Sequence, residues 1–221
     1  MNNLFLATKN DHKIREIKEI LHDLMITVLS YKNLSDIPEI EETGTSFMEN
    51  SIIKATALTK ITNEVSLGDD SGLEVDALDG RPGIFSSRYA QMNENITLSL
   101  ISSNQERKTK DQEQLSSDEK NINILLKNLI NIPIERRTAR FKCVITVATP
   151  SGVYKSVDGL CEGLIAFEKK GRHGFGYDPV FIVPGYNQTM AELEPAIKNK
   201  ISHRALALQK TKCIIQEILN K

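Results

Sequence analysis

The chain has 221 residues, enough for one large domain or two small lobes, and its 40% hydrophobic content allows a sizeable core. Its 28 basic residues are matched by 29 acidic ones, so it lacks the basic surplus that a nucleic-acid binder carries. Three widely spaced cysteines with no C-x-x-C pair argue against a zinc site or a redox dithiol, and no run of about 18 apolar residues is present to span a membrane.

From the start, Leu4-Phe5-Leu6-Ala7 is a short apolar run that reads as a buried strand. Neither a basic n-region nor a long apolar core surrounds it, so no signal peptide is expected and the cytoplasm is the expected location. Thr8 to Asp11 offers several helix caps, and Ile14, Ile17, Leu21 and Leu24 then fall at helical spacing. Residues 25–31 read as a second strand, and strand–helix–strand suggests an α/β sheet. Ser46 and Glu49 form a capping-box pattern for a helix running to about Ile61. Val65-Ser66-Leu67 reads as a short strand ending at Gly68-Asp69-Asp70-Ser71-Gly72.

Residues 102–121 contain a single large apolar side chain, Leu115, and read as a mobile surface insertion. A helical stripe resumes at Ile122, Leu125, Leu126, Leu129 and Ile130, and Pro133 ends it. Residues 141–149 and 153–167 read as strands joined by a turn at Pro150-Ser151-Gly152, with Cys143 a buried strand cysteine. From Ser202 a last capped helix carries Leu206, Ile214, Ile215, Ile218 and Leu219. Ten of the twelve glycines fall in two windows, 68–83 and 159–185, which suits two walls of one site or simply tight hairpins.

Five segments carry polar chemistry, each with a plainer reading beside it. Thr8, Lys9, Asn10, Asp11, His12 and Lys13 lie between strand and helix, where main-chain N–H groups suit phosphate, or form ordinary caps; G-x-x-x-x-G-K-[ST] is absent. Glu41 and Glu42 precede a helix and suit a hard cation, or are surface acids. Lys54, about two turns into that helix, either reaches a phosphate or is solvated. Asp69 and Asp70 between glycines suit magnesium, or mark a β-turn. Arg88, after the rigid turn at Gly80-Arg81-Pro82-Gly83, either reaches the site or pairs at the surface. In Gly174-Phe175-Gly176-Tyr177-Asp178 an aromatic ring can stack on a flat base, or simply fill a core. His203 and Arg204 sit in the first turn of the last helix, where the helix dipole opposes them, so a ligand or plain solvent holds them there.

Taken together, LATKNDHKIREI, EETGTSFMENSIIKA, GDDSGLEVDALDGRPGIFSSRYA, TARFKCVI, GFGYDPVF and ISHRALAL resemble the Ham1 family of inosine triphosphate pyrophosphatases, in its bacterial XTP/dITP diphosphatase branch. The six stretches stand in family order and cover nearly the whole chain except 102–121. The resemblance implies one α/β domain over 1–221, with an elongated mixed sheet, flanking helices and two lobes around a central substrate cleft. It implies hydrolysis of ITP, dITP and XTP to the monophosphate and pyrophosphate by water, with Mg2+ as cofactor, in a homodimer. It implies that Thr8 to Lys13 contact phosphate, that Glu41 and Asp70 bind magnesium, and that Asp70 also accepts the proton. It implies also that Ser71 contacts substrate, that Phe175, Gly176, Tyr177 and Asp178 line the base, and that Lys198, His203 and Arg204 complete the site. Lys9 departs from the family's glycine after the threonine, and the 102–121 stretch has no counterpart in shorter members. A Maf-like pyrophosphatase of other base specificity, a non-catalytic nucleotide sensor and a phosphoacceptor protein are the competing readings. The SHR and FGYD stretches, the acids Glu41 and Asp70, and the want of a clear receiver-type lysine count against them in turn.

Overall fold

A computed structural model of the chain describes residues 2–34, 37–93 and 115–219. Its strands form one seven-stranded mixed sheet in the order β2-β1-β3-β4-β5-β6-β7. They are β1 (Asn2–Leu6), β2 (Ile26–Ser30), β3 (Ser66–Val75), β4 (Thr138–Ala148), β5 (Tyr154–Ile165), β6 (Phe181–Val183) and β7 (Gln188–Thr189). β1 pairs parallel with β2 and β3, whereas β6 pairs antiparallel with β5 and β7. Helices among the described residues include α1 (Asp11–Ile20), α2 (Phe47–Thr62), α3 (Ser117–Asn128), α4 (Pro195–Ile201) and α5 (His203–Leu219). The expected α/β class with a mixed sheet and flanking helices is what the chain adopts.

The chain divides into two compact units. The first comprises Met1–Ser71, Phe141–Cys161 and Pro195–Lys221, and the second Gly72–Arg140 and Glu162–Glu194. In the first unit β1 is apolar on both faces, as a covered parallel strand must be. Alternation sends Leu4 and Leu6 to one side, where Ile17, Leu21, Ile145, Leu208 and Ile215 are packed with them. Phe5 and Ala7 go to the other side, with Tyr31 and Leu58. The hairpin between β4 and β5 closes with Gly152 N–H donating to Thr149 O, Gly152 being left-handed at φ +83°.

Two expectations need correction. β3 does not end at Leu67 but continues through Gly68-Asp69-Asp70-Ser71-Gly72 to Val75. Turn-forming residues stay extended here because α2 lies against the strand: a Cβ at Gly68 would come 2.3 Å from Ser51 O and 2.8 Å from Ala55 N. The second correction concerns 102–121. Residues 94–114 lie outside the described residues, but 117–121 are the first turns of α3 rather than a loop. A capping box explains this, Ser116 accepting from Glu119 N–H while the Glu119 carboxylate accepts from Ser116 N–H. Asn121 is buried in that turn.

Candidate active site

β3 puts its two neighbouring carboxylates on opposite faces, because successive side chains of a strand alternate. Asp69 follows Leu67 onto the side of α1 and α5, and Asp70 follows Gly68 onto the side of α2. The two acids therefore have different surroundings and different chemistry.

Asp69 has a fully buried side chain. It accepts from Lys13 Nζ, from Arg204 Nε at 2.8 Å, from Ser71 Oγ at 3.1 Å and from the Cys143 thiol at 3.3 Å. Burial pushes its carboxyl up, but Arg204 and Lys13 outweigh this and hold it well below the usual carboxylate range. Arg204 also donates through Nη1 to Glu16 at 2.6 Å and through Nη2 to Ser71 Oγ at 2.8 Å. Lys198, from α4, pairs with the other Glu16 oxygen at 2.8 Å. The buried His203 ring stacks on Phe141 at 4.7 Å between centroids. Burial first, then Arg204 and Lys198, hold His203 neutral, and its Nδ1 is buried with no hydrogen-bond partner among the described residues.

Asp70 is also buried, and it receives Lys54 Nζ at 2.7 Å and Asn50 Nδ2 at 3.3 Å. Lys54 bridges to Glu42 at 2.9 Å, and Asn50 Oδ1 accepts from Gly44 N–H at 2.8 Å, so α2 carries both the acid and the loop before it. Burial raises the Asp70 carboxyl above its usual value although Lys54 pulls it down. A carboxylate with raised proton affinity beside fixed cations is suited to accept a proton.

The turn before α1 is organised by its own side chains. Asn10 caps the helix, accepting from His12 N–H at 2.9 Å and Lys13 N–H at 3.1 Å, while Thr8 Oγ1 accepts from Asn10 N–H at 3.2 Å. Two of the main-chain N–H groups expected for phosphate are thus held by Asn10. Lys9, Asn10, Asp11 and His12 are exposed, and Thr8 and Lys13 half-buried. Lys9 lies over the Tyr31 ring at 5.3 Å and Asp11 pairs with Lys32 at 2.7 Å.

In the second unit, Phe175 and Gly176 are half-buried, and Tyr177 and Asp178 buried. Tyr177 donates its hydroxyl to Ser86 O at 2.9 Å, and Asp178 Oδ2 accepts from Phe175 N–H at 2.9 Å.

The first unit thus gathers Lys13, Ser71, Lys198, His203 and Arg204 around Asp69 and Glu16, and separately Asp70 with Lys54. Two residues important to this geometry were not among the expected site residues, Glu16 and Asn50, while Asp69, expected as a possible magnesium ligand, is paired with Lys13 and Arg204. Asn50 had a signal, standing four residues before Lys54 on one face of α2. Glu41 is exposed, and it is Glu42 that meets Lys54. Arg204 is almost wholly buried with all three nitrogens donating to protein, which makes it a residue that fixes Asp69 and Ser71.

Magnesium binds through oxygen, usually one or two carboxylates completed by waters and substrate phosphates. Lys54 spans Asp70 of β3 and Glu42 of the loop before α2, so two carboxylates already converge on one positive charge, and the donor set is the hard-oxygen kind. Among the described residues no group of three or more His, Cys, Asp or Glu is assembled as a cage, which magnesium shared with a polyphosphate does not need.

The Ham1 family model matches residues 4–213. A dITP/XTP pyrophosphatase of Bacillus licheniformis is 42% identical over 98% of this chain and 100% of its own length. One of Bacillus subtilis is 43% identical over 98% of each. Among solved structures, a HAM1 protein from Coxiella burnetii superposes with a TM-score of 0.79 at 38% identity, covering 98% of this chain and 100% of the other. The Staphylococcus aureus Ham1 protein does so with a TM-score of 0.77 at 38% identity, over 98% and 99%.

Proposed function

This chain belongs to the Ham1 family, and from that premise we propose that it hydrolyses non-canonical purine nucleoside triphosphates (ITP, dITP and XTP) to the monophosphate and pyrophosphate. The observation that carries the proposal is the opposed pair on β3. Asp69 is neutralised by Lys13 and Arg204, while Asp70 keeps a raised proton affinity beside Lys54.

Water attacks the α-phosphorus, the bond to the bridging oxygen breaks, and pyrophosphate leaves. Asp70 accepts the proton of the attacking water. Lys13 and Lys54 bring positive charge to the polyphosphate, and positioning with electrostatic stabilisation supplies most of the acceleration. Asp70, with Glu41 or Glu42 from the preceding loop, would hold Mg2+, which when bound neutralises phosphate charge.

Hypoxanthine and xanthine carry an oxygen acceptor at the 6 position, where adenine carries an amino donor. With its proton on Nδ1, the neutral His203 ring supplies a buried donor that has no partner among the described residues. Adenine opposite it sets donor against donor, a mismatch worth about 1–3 kcal/mol. Arg204 keeps this region in place through Asp69, Ser71 and Glu16, and Phe175 to Asp178 supply the base-lining loop of the second unit.

Asp70→Asn tests the proton acceptor. Turnover should fall by about 10²–10⁴-fold, the range for a lost general base, with circular dichroism unchanged. Activity close to that of the unaltered protein removes Asp70 from the role. A homodimer in the cytoplasm belongs to the same reading and is supported by the family resemblance. No helix among the described residues is long and apolar enough to cross a membrane. Light scattering at the mass of a single chain would refute the dimer.

A further inference from the structure

Within the second unit, the loop at 174–178 is held by two carboxylates, of which only one belongs to the loop. Asp178 Oδ2 accepts from Phe175 N–H at 2.9 Å. The next amide, Gly176 N–H, donates to Asp118 Oδ2 at 2.7 Å, and Asp118 stands in the first turn of α3. Phe175 is therefore fixed on either side of its Cα by consecutive hydrogen-bonded peptides. The conformation is one that glycine supports: Gly174 and Gly176 have φ of +77° and +60°, and a Cβ at Gly174 would come 2.0 Å from Asp178 Oδ2.

The far end of the Asp118 contact is itself anchored. The Ser116–Glu119 capping box sets the start of α3. One turn on, Asn121 Oδ1 accepts from Ala90 N–H at 2.8 Å and Nδ2 donates to Ser87 O at 3.1 Å. Tyr177, the residue after Gly176, donates to Ser86 O in the same stretch. Segment 86–90 thus fixes both α3 and the loop, and Asp118 joins the two directly.

We propose that Asp118 is a positioning residue for base selection: its hydrogen bond to Gly176 N–H sets the posture of Phe175 and hence how firmly a purine is held. This rests on the reading of residues 175–178 as the base-lining loop. Asp118 meets the loop through the Gly176 main-chain N–H rather than through a reacting group, so its effect belongs in KM and in discrimination between bases rather than in kcat.

The test compares Asp118→Ala and Asp118→Asn with the unaltered protein, using ITP and ATP, with amide hydrogen exchange over residues 172–178 in parallel. Asparagine keeps an acceptor oxygen at the same place, whereas alanine removes it. Asp118→Ala should raise KM for ITP about 5- to 20-fold, as expected for losing a hydrogen bond to a charged acceptor at an exposed position, with kcat within about twofold. Its ITP-over-ATP preference should narrow and the Gly176 amide should lose protection, while Asp118→Asn should stay near the original on every measure. The inference is overturned if Asp118→Ala matches the active unaltered protein in KM and preference, or if Asp118→Asn fails as badly as alanine. A loss confined to kcat overturns it equally. If the unaltered protein releases no pyrophosphate, the reading of the loop falls first and this inference with it.

Discussion

Replacing Asp69 by asparagine removes one buried charge and changes almost nothing in shape. The cluster on that face of β3 holds three cations (Lys13, Lys198, Arg204) and two carboxylates (Glu16, Asp69). Asparagine leaves three cations against one carboxylate. Arg204 has a side chain only 2% exposed and Lys13 one only 16% exposed, so water cannot replace the lost partner. Removing one partner of such a buried pair costs about 3–5 kcal/mol. For a chain of this size that corresponds to a fall in Tm of about 6–20 °C. Calorimetry or urea denaturation at neutral pH measures it. The pH dependence supplies a second check. The folded carboxyl is held below its unfolded value, so its contribution is present above the ordinary carboxylate pKa. That contribution is lost as pH falls through the folded value, and the acid limb of the stability curve should flatten in Asp69→Asn. Adding Lys13→Met to Asp69→Asn should recover part of the loss, because the surplus cation goes. A cost below about 1 kcal/mol, the level of an exposed pair, would refute the claim that Asp69 organises this face.

Gly68→Ala drives a methyl group against the backbone of α2, 2.3 Å from Ser51 O, and should cost about 1–3 kcal/mol in urea denaturation and lower activity by displacing Asp69 and Asp70. Unchanged stability would mean that α2 yields freely. Lys54→Met removes the cation that opposes the effect of burial on Asp70, so the Asp70 carboxyl should rise further. The acid limb of kcat/KM should then move to higher pH, and a move to lower pH would contradict Asp70 as proton acceptor. Gly174→Ala should impair ITP binding, since φ of +77° and the 2.0 Å approach to Asp178 leave no place for a side chain. An unaltered KM would count against the loop as a base wall.

The elements legible in the sequence are those in which local chemistry and packing agree. Leu4 to Ala7 is apolar on both faces, Asn10 and Ser46 cap α1 and α2, and Gly152 closes the hairpin. β3 is not legible because Gly-Asp-Asp-Ser-Gly is locally turn-forming, and only the closeness of α2 and the burial of both acids make extended backbone the better state. The start of α3 is masked in the sequence by first turns that are polar all round, although the Ser116–Glu119 box marks it.

The site was legible as residue types and less so as roles. Asp69 and Asp70 look alike as neighbours in a sequence. What separates them is strand alternation, together with Arg204, which lies 135 positions away. No spacing rule reaches that far. Arg204 likewise looked like a donor waiting for a ligand at a helix start, where its charge opposes the helix dipole. Glu16 and Asp69 explain why it stays there. Glu42 rather than Glu41 meets Lys54 because the loop is fixed through Gly44 and Asn50, a contact that adjacent glutamates do not announce.

The most direct test is pyrophosphate release from ITP, XTP, dITP, ATP and GTP at neutral to alkaline pH, with and without magnesium. Metal-dependent release that strongly favours ITP, XTP or dITP over ATP and GTP is the predicted result. Absence of release from every purine triphosphate, in folded protein with magnesium present, would contradict the account.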